Sequence, residues 1–116
     1  MTNYASQFNK YIQLTINNLK EKNYSQAEEN IKQAMLVNPH SPVVQNLYGI
    51  LEELLREDHL ALKHYRAAYA FDPTYEPAIR NLKRITSIDH RFDKIDVDFG
   101  DKPSVLLKNI KRNNEI

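Results

Sequence analysis

The sequence of 116 residues contains no cysteine and only two glycines. Without cysteine there is no disulfide framework, no thiolate nucleophile and no cysteine-ligated metal, which fits a cytoplasmic protein. The scarcity of glycine disfavours a turn-rich β architecture, whereas frequent Leu, Ala, Lys, Glu and Gln favour helices. We therefore expect an all-α fold and a cytoplasmic location.

The sequence also lacks a charge imbalance and a long apolar run. Sixteen Lys and Arg residues stand against fifteen Asp and Glu, so the formal net charge is +1. This balance disfavours the broad electrostatic attraction on which nucleic-acid binding rests. No stretch approaches the roughly 18 apolar residues of a membrane span, and no signal peptide is recognisable. We expect a soluble chain with no membrane partner.

Motifs for catalysis and metal binding are missing. The four histidines are scattered and are expected to be ordinary surface residues, and neither a glycine-rich phosphate loop nor a nucleophile elbow is present. Asp96, Asp98 and Asp101 flank Gly100, but the other ligands of a calcium loop are absent. We therefore expect no enzymatic activity, no cofactor and no metal site.

What the sequence does contain is helical periodicity, because apolar residues return every three or four positions. Ser25 with Glu28 suggests a capping box, Ser41 with Pro42 suggests another helix start, and prolines at 39 and 73 close two segments. The predicted helices are 3–22, 25–37, 42–55, 58–71 and 74–88, with a short basic helix at 104–112.

The helical pattern repeats after 34 residues. This shift superposes Ala27 on Ala61, Ala34 on Ala68 and Pro39 on Pro73. The helices that precede them align too, with Leu14, Tyr48 and Leu82 at matching positions of three successive units. The small residues suit close helix contacts, and the prolines mark the end of each unit.

Residues 8–88 resemble the tetratricopeptide repeat (TPR) family, whose period is ~34 residues. Tyr11 stands where the family has a large aromatic residue, and Gly49 where its helices need a small one. Thr15 and Lys83 depart from that small residue, and Arg56 occupies the usual inter-helix glycine position. The resemblance implies a right-handed α-solenoid in residues 1–88, with repeats at about 8–41 and 42–75 and a capping helix at 76–88. Residues 89–116 form a tail, partly flexible or packed back on the repeats.

The resemblance also implies a concave groove lined by the first helix of each unit. An extended acidic and hydrophobic peptide would suit its apolar floor, its amides and its arginines. The same apolar residues are equally typical of a plain core. The groove residues implied are Asn9, Ile12, Gln13, Ile16, Asn46, Leu47, Ile50, Arg80, Asn81 and Arg84.

These features favour a non-enzymatic adaptor or scaffold that binds a protein or peptide. The occupant of the groove is a partner, a second subunit, or the chain's own residues 93–101, where apolar and acidic residues alternate. An RNA-associated module is the alternative, with basic residues 83, 84, 91, 94, 108, 111 and 112 and Phe92 for stacking. A self-associating structural element is a third reading.

Overall fold

The computed structural model describes residues 3–91 and 95–102, and within them the chain is all-helical, as predicted. The helix predicted at 104–112 lies outside the described residues. A short 3-10 helix, Ile88–Arg91, follows the last α-helix. The α-helices are α1 Tyr4–Lys20, α2 Tyr24–Val37, α3 Pro42–Leu54, α4 Asp58–Phe71 and α5 Glu76–Ile85.

The start of α3 follows the sequence signal, but the start of α2 and the bounds of α5 do not. The Ser41 hydroxyl accepts hydrogen bonds from the amides of Val43 and Val44, with proline in the first turn. The capping-box prediction at Ser25 is wrong, because α2 begins at Tyr24 after Asn23. Helix α5 begins later than predicted, at Glu76, because the Asp72 carboxylate accepts bonds from the amide and hydroxyl of Thr74 and holds a turn there. It also ends at Ile85, three residues before the predicted end.

The 34-residue recurrence is visible in the backbone as well as in the sequence. Helix α4 begins and ends 34 residues after α2. Lys22 and Arg56, also 34 apart, both adopt left-handed conformations, with φ of 62° and 64°. Asn23 N donates to Asn18 O, and Glu57 N to Glu52 O, both at 2.8 Å. Helices α1 and α3 therefore end in the same Schellman-type closure.

Arg56 is a non-glycine residue in a left-handed backbone conformation. The residue is exposed, and a non-glycine residue in this region costs on the order of 1 kcal/mol. We expect Arg56→Gly to raise the free energy of unfolding by about 0.5–1 kcal/mol, measured by urea denaturation. Arg56→Ala is the control, and an equal gain in both variants would show that the conformation is not the cause.

The core is built where small residues let the helices approach. Ala27, Ala34, Ala61 and Ala68 are completely buried on α2 and α4. Gly49 of α3 faces the Tyr65 ring of α4. Each helix packs on its neighbours in sequence, and α3 also packs on both α1 and α5. Helices α1, α3 and α5 therefore lie side by side.

Candidate functional site

A surface formed by α1, α3 and α5 is crossed by residues 95–101, here called the returning segment. The segment has no helical or strand structure, yet it contacts all three helices. Val97 is buried within the main hydrophobic core, and Ile95 and Phe99 pack partly buried against it. The segment therefore occupies the surface as an extended peptide would.

Two asparagine side chains hold the backbone of Asp98. The Asn81 side-chain amide accepts from Asp98 N at 2.8 Å and donates to Asp98 O at 2.9 Å. Asn46 Nδ2 donates to the same carbonyl at 3.0 Å, and Asn81 Nδ2 also donates to Asn46 Oδ1. Both asparagines are fully buried. Because these bonds go to main-chain groups, they recognise a polypeptide rather than a particular side chain.

Cationic side chains hold the acids of the returning segment. Arg80 Nη1 lies 2.7 Å from Asp98 Oδ2, and this hydrogen bond raises the pKa of Arg80. Lys20 Nζ lies 2.5 Å from Asp101 Oδ2 and 5.3 Å from the centre of the Phe99 ring. Asp98 and Asp101 are thereby matched from α5 on one side and α1 on the other.

The apolar side chains of the segment lie against the turn that joins α1 to α2. A cleft of about 300 Å³ is lined by Leu19, Tyr24 and Leu54 together with Ile95, Val97 and Phe99 of the segment. Asp96 stands at the same cleft but is exposed. Apolar and acidic residues alternate along the segment. Its apolar side chains therefore pack on the core, whereas Asp96 is exposed.

Gly100 lets the segment pass over Tyr75 at the start of α5. Its φ is 81°, and a Cβ there would collide with the Tyr75 hydroxyl. Burial raises the pKa of Tyr75 to about 12, with further contributions from the carboxylates of Asp98 and Asp101. A side chain at position 100 would therefore disfavour the observed course of the segment for two reasons, namely the left-handed backbone conformation and the collision with Tyr75.

The other implied groove residues have different surroundings. Leu47 and Ile50 are completely buried, Ile16 is nearly so, and all three belong to the core. Ile12 is partly buried against the core. On the outer part of α1, Asn9 and Gln13 are exposed, and Gln13 bonds Asn17. The structure thus brings Asn46, Arg80 and Asn81 to the segment and places Ile16, Leu47 and Ile50 in the same core as Val97.

Arg84 serves a buried network instead of an open surface. Its guanidinium makes two hydrogen bonds to the carboxylate of Glu53, one of them at 2.7 Å, and Glu53 is completely buried. The Tyr65 hydroxyl donates to Glu53 at 2.8 Å. Burial and repulsion from Glu53 raise the pKa of Tyr65. Burial opposes the charge on Arg84, but the bonds to Glu53 outweigh it and raise its pKa.

Two histidines expected at the surface are engaged in packing. The His64 ring stacks on Tyr48 with ring centres 4.7 Å apart and pairs with Glu52. His90 Nε2 lies 3.2 Å from Asp58 Oδ2, with only a tenth of its side chain exposed. Helical spacing does not reveal these contacts, because they depend on how α3, α4 and the 3-10 turn meet. Their geometry indicates structural roles.

Sequence reasoning missed Lys20 and Tyr75 as residues of this site. Lys20 was one of many exposed lysines by pattern, and Tyr75 precedes α5 without a periodic signal. The acidic residues of the segment are the sequence signal for such residues. Once the segment packs against the helices, its carboxylates need cations nearby. Residues 92, 94, 108, 111 and 112 of the basic strip considered for RNA lie outside the described residues.

Asn81 gives a direct prediction about the segment. We expect Asn81→Ala to speed hydrogen exchange of the Asp98 amide at least about tenfold, because the amide loses its acceptor and the segment opens more often. Exchange measured by NMR tests this. Asn9→Ala is the control, since Asn9 is exposed. An unchanged exchange rate at Asp98 would show that the bond does not hold the segment.

The ligand chemistry of the described residues is limited. Over residues 3–91 and 95–102, no cluster of three or more His, Asp or Glu side chains is arranged to hold a metal ion. Within the same ranges, no helix has the length and apolar character required to cross a membrane. Comparison of the chain with protein-family models, with curated proteins and with solved structures finds no match.

Proposed function

We propose that this chain is a non-enzymatic, cytoplasmic adaptor of the TPR type that binds an extended polypeptide segment on the surface formed by α1, α3 and α5. The observation that carries the proposal is the grip of Asn81 and Asn46 on both main-chain groups of Asp98. Buried amides that accept from a backbone N–H and donate to the C=O of the same residue match the main chain of an extended peptide.

The repeated backbone supports the TPR part of this proposal. Equivalent left-handed residues, Lys22 and Arg56, equivalent buried alanines and equivalent helix ends all recur at the same offset. Two helix pairs and α5 would then form about two and a half units of a right-handed solenoid. In such a stack the first helices share one face, as α1, α3 and α5 do here.

The chemistry of the surface indicates which peptides would bind. Arg80 has nearly half of its side chain exposed, so it is accessible to a ligand carboxylate. Leu19, Tyr24 and Leu54, which line the cleft from the helices, offer an apolar surface to aliphatic or aromatic side chains. An extended peptide with both acidic and hydrophobic residues therefore fits better than a basic or purely polar one.

Selection of peptides from a random display library tests the proposal. The target is a chain carrying Val97→Asp and Asp98→Lys, here called the released variant, because these changes oppose docking of the returning segment. The matched control adds Arg80→Ala, on a side chain that is well exposed, and this change removes the cation without offering a carboxylate to the lysine introduced at position 98 of the released variant. We expect peptides that bind the released variant and lose binding to the control. Failure to find any such peptide would reject the proposal.

Two further measurements address the other classes of function. A labelled single-stranded RNA whose binding weakens steeply with salt would indicate the nucleic-acid reading instead. Sedimentation at several protein concentrations reports self-association. A dimer that binds no peptide would replace the adaptor reading with a structural one.

A further inference from the structure

The contacts of the returning segment fall into two classes. Bonds from Asn46 and Asn81 to the backbone of Asp98 would form with any residue at that position. Contacts of the side chains are selective, because Val97 is buried in the core and Asp98 meets a guanidinium. The surface therefore distinguishes peptides by the side chain of the residue whose backbone it holds and by the side chains next to it.

Two cations favour an acidic ligand. In the described part of the chain, the ion pair of Lys20 is with Asp101, and Arg80 is shared between Asp98 and Glu76. A ligand without carboxylates would cover Lys20 and Arg80 without compensating their lost hydration. A ligand with acids in the register of Asp98 and Asp101 would restore both pairs.

The segment is held by contacts that a separate peptide can reproduce. It has no helix or strand of its own, and its anchorage is one buried apolar side chain, two partly buried apolar ones and the polar bonds of Asp98 and Asp101. Three residues, 92–94, join it to the 3-10 turn, so its effective concentration at the surface is on the order of millimolar. A free ligand has to compete with this tethered copy.

We infer that the returning segment is a built-in competitor, and that the partner is a polypeptide with an extended apolar–acidic–apolar stretch and a second acid two residues later. This is the arrangement of Val97, Asp98, Phe99 and Asp101. The partner binds by displacing the segment, so a ligand occupies the surface only when its affinity and concentration together outweigh those of the tethered segment. The inference rests on the proposed function.

A fluorescent synthetic peptide with the sequence of residues 95–102 tests the inference by anisotropy against full-length chains. The targets are wild type, the released variant and Gly100→Val. Gly100 lies outside the helices, and its φ of 81° disfavours valine, so this variant opposes docking without touching the helical core. We expect both variants to bind the peptide at least about tenfold more tightly than wild type.

Matched controls identify the surface. Adding Arg80→Ala to either variant is expected to weaken peptide binding about tenfold, since one charge-assisted contact is lost. A peptide carrying the changes Val97→Asp and Asp98→Lys should not bind. Circular dichroism checks that each target is folded. If the released variant is not folded, the comparison of Gly100→Val with wild type tests the inference.

The outcomes separate the two proposals. Equal affinity of the peptide for wild type and for a folded variant means that the segment does not compete, and the inference is wrong. If this peptide fails while the display library yields other peptides that depend on Arg80, the inference is again wrong but the adaptor function stands. If no peptide of any sequence depends on Arg80, the adaptor function fails and the inference fails with it.

Discussion

Glu53→Ala is expected to lower the free energy of unfolding by about 3–5 kcal/mol, because it leaves a buried cation and a buried hydroxyl without their partner. Glu53 is completely inaccessible and accepts from both Arg84 and Tyr65. Arg84 has only a fifth of its side chain exposed, so water cannot replace the lost carboxylate fully. Thermal and urea unfolding measure the change.

Glu57→Ala is the matched control, since Glu57 is exposed only four residues away. Its effect should stay within about 0.5 kcal/mol. A variant that replaces the whole network, with Glu53→Met, Tyr65→Phe and Arg84→Met, should recover most of the loss, because apolar residues of similar volume avoid the buried charges. Equal stability of Glu53→Ala and Glu57→Ala would contradict the role assigned to the network.

This network links the fold to the proposed binding surface. Arg84 Nη2 also lies 3.3 Å from the side-chain oxygen of Asn81. That oxygen accepts the amide of Asp98, so the orientation of Asn81 depends on groups beneath the surface. Loss of Glu53 should therefore weaken the hydrogen bonds between Asn81 and the backbone of Asp98 even in a chain that remains folded. A residue that never touches the ligand would then influence its binding.

Much of the helical fold could be predicted because its signals are local. The apolar spacing marks the helices, Pro39 and Pro73 mark where two of them end, and Ser41 caps a third. The start of α2 and the length of α5 could not be predicted in the same way. They depend on the left-handed turn at Lys22 and on the bonds of Asp72, which several residue types could have formed.

The candidate site was less accessible to sequence reasoning. The resemblance to TPR repeats implies that Asn46, Arg80 and Asn81 share a face, because each lies on a first helix of the repeat. All three side chains contact Asp98, and this depends on the register in which the segment packs on the helices. The sequence of the segment has no periodicity that predicts this register. Alternation would place Asp98 outward with Asp96, yet Asp98 is buried because its backbone is clamped and Arg80 reaches its carboxylate. Such a register is set only by the tertiary structure.

Gly49→Val is expected to cost about 3 kcal/mol, because the α3–α4 contact has no room for a side chain at this position. An added Cβ would lie 2.5 Å from Tyr65 Cε1 and 2.6 Å from Cδ1. The ring cannot swing aside freely, since Tyr65 is completely buried and its hydroxyl is bonded to Glu53. Urea denaturation measures the loss.

Comparison with other substitutions separates overpacking from helix propensity. Ala70→Val, at an exposed position of α4, introduces the same side chain and should cost only about 0.5 kcal/mol. Gly49→Ala should fall between them, since better helix propensity offsets part of the collision. Combining Gly49→Val with Tyr65→Leu should cost less than the sum of the two single changes, because the smaller side chain vacates the space. Strict additivity would show that the destabilisation does not arise from the contact between Gly49 and the Tyr65 ring.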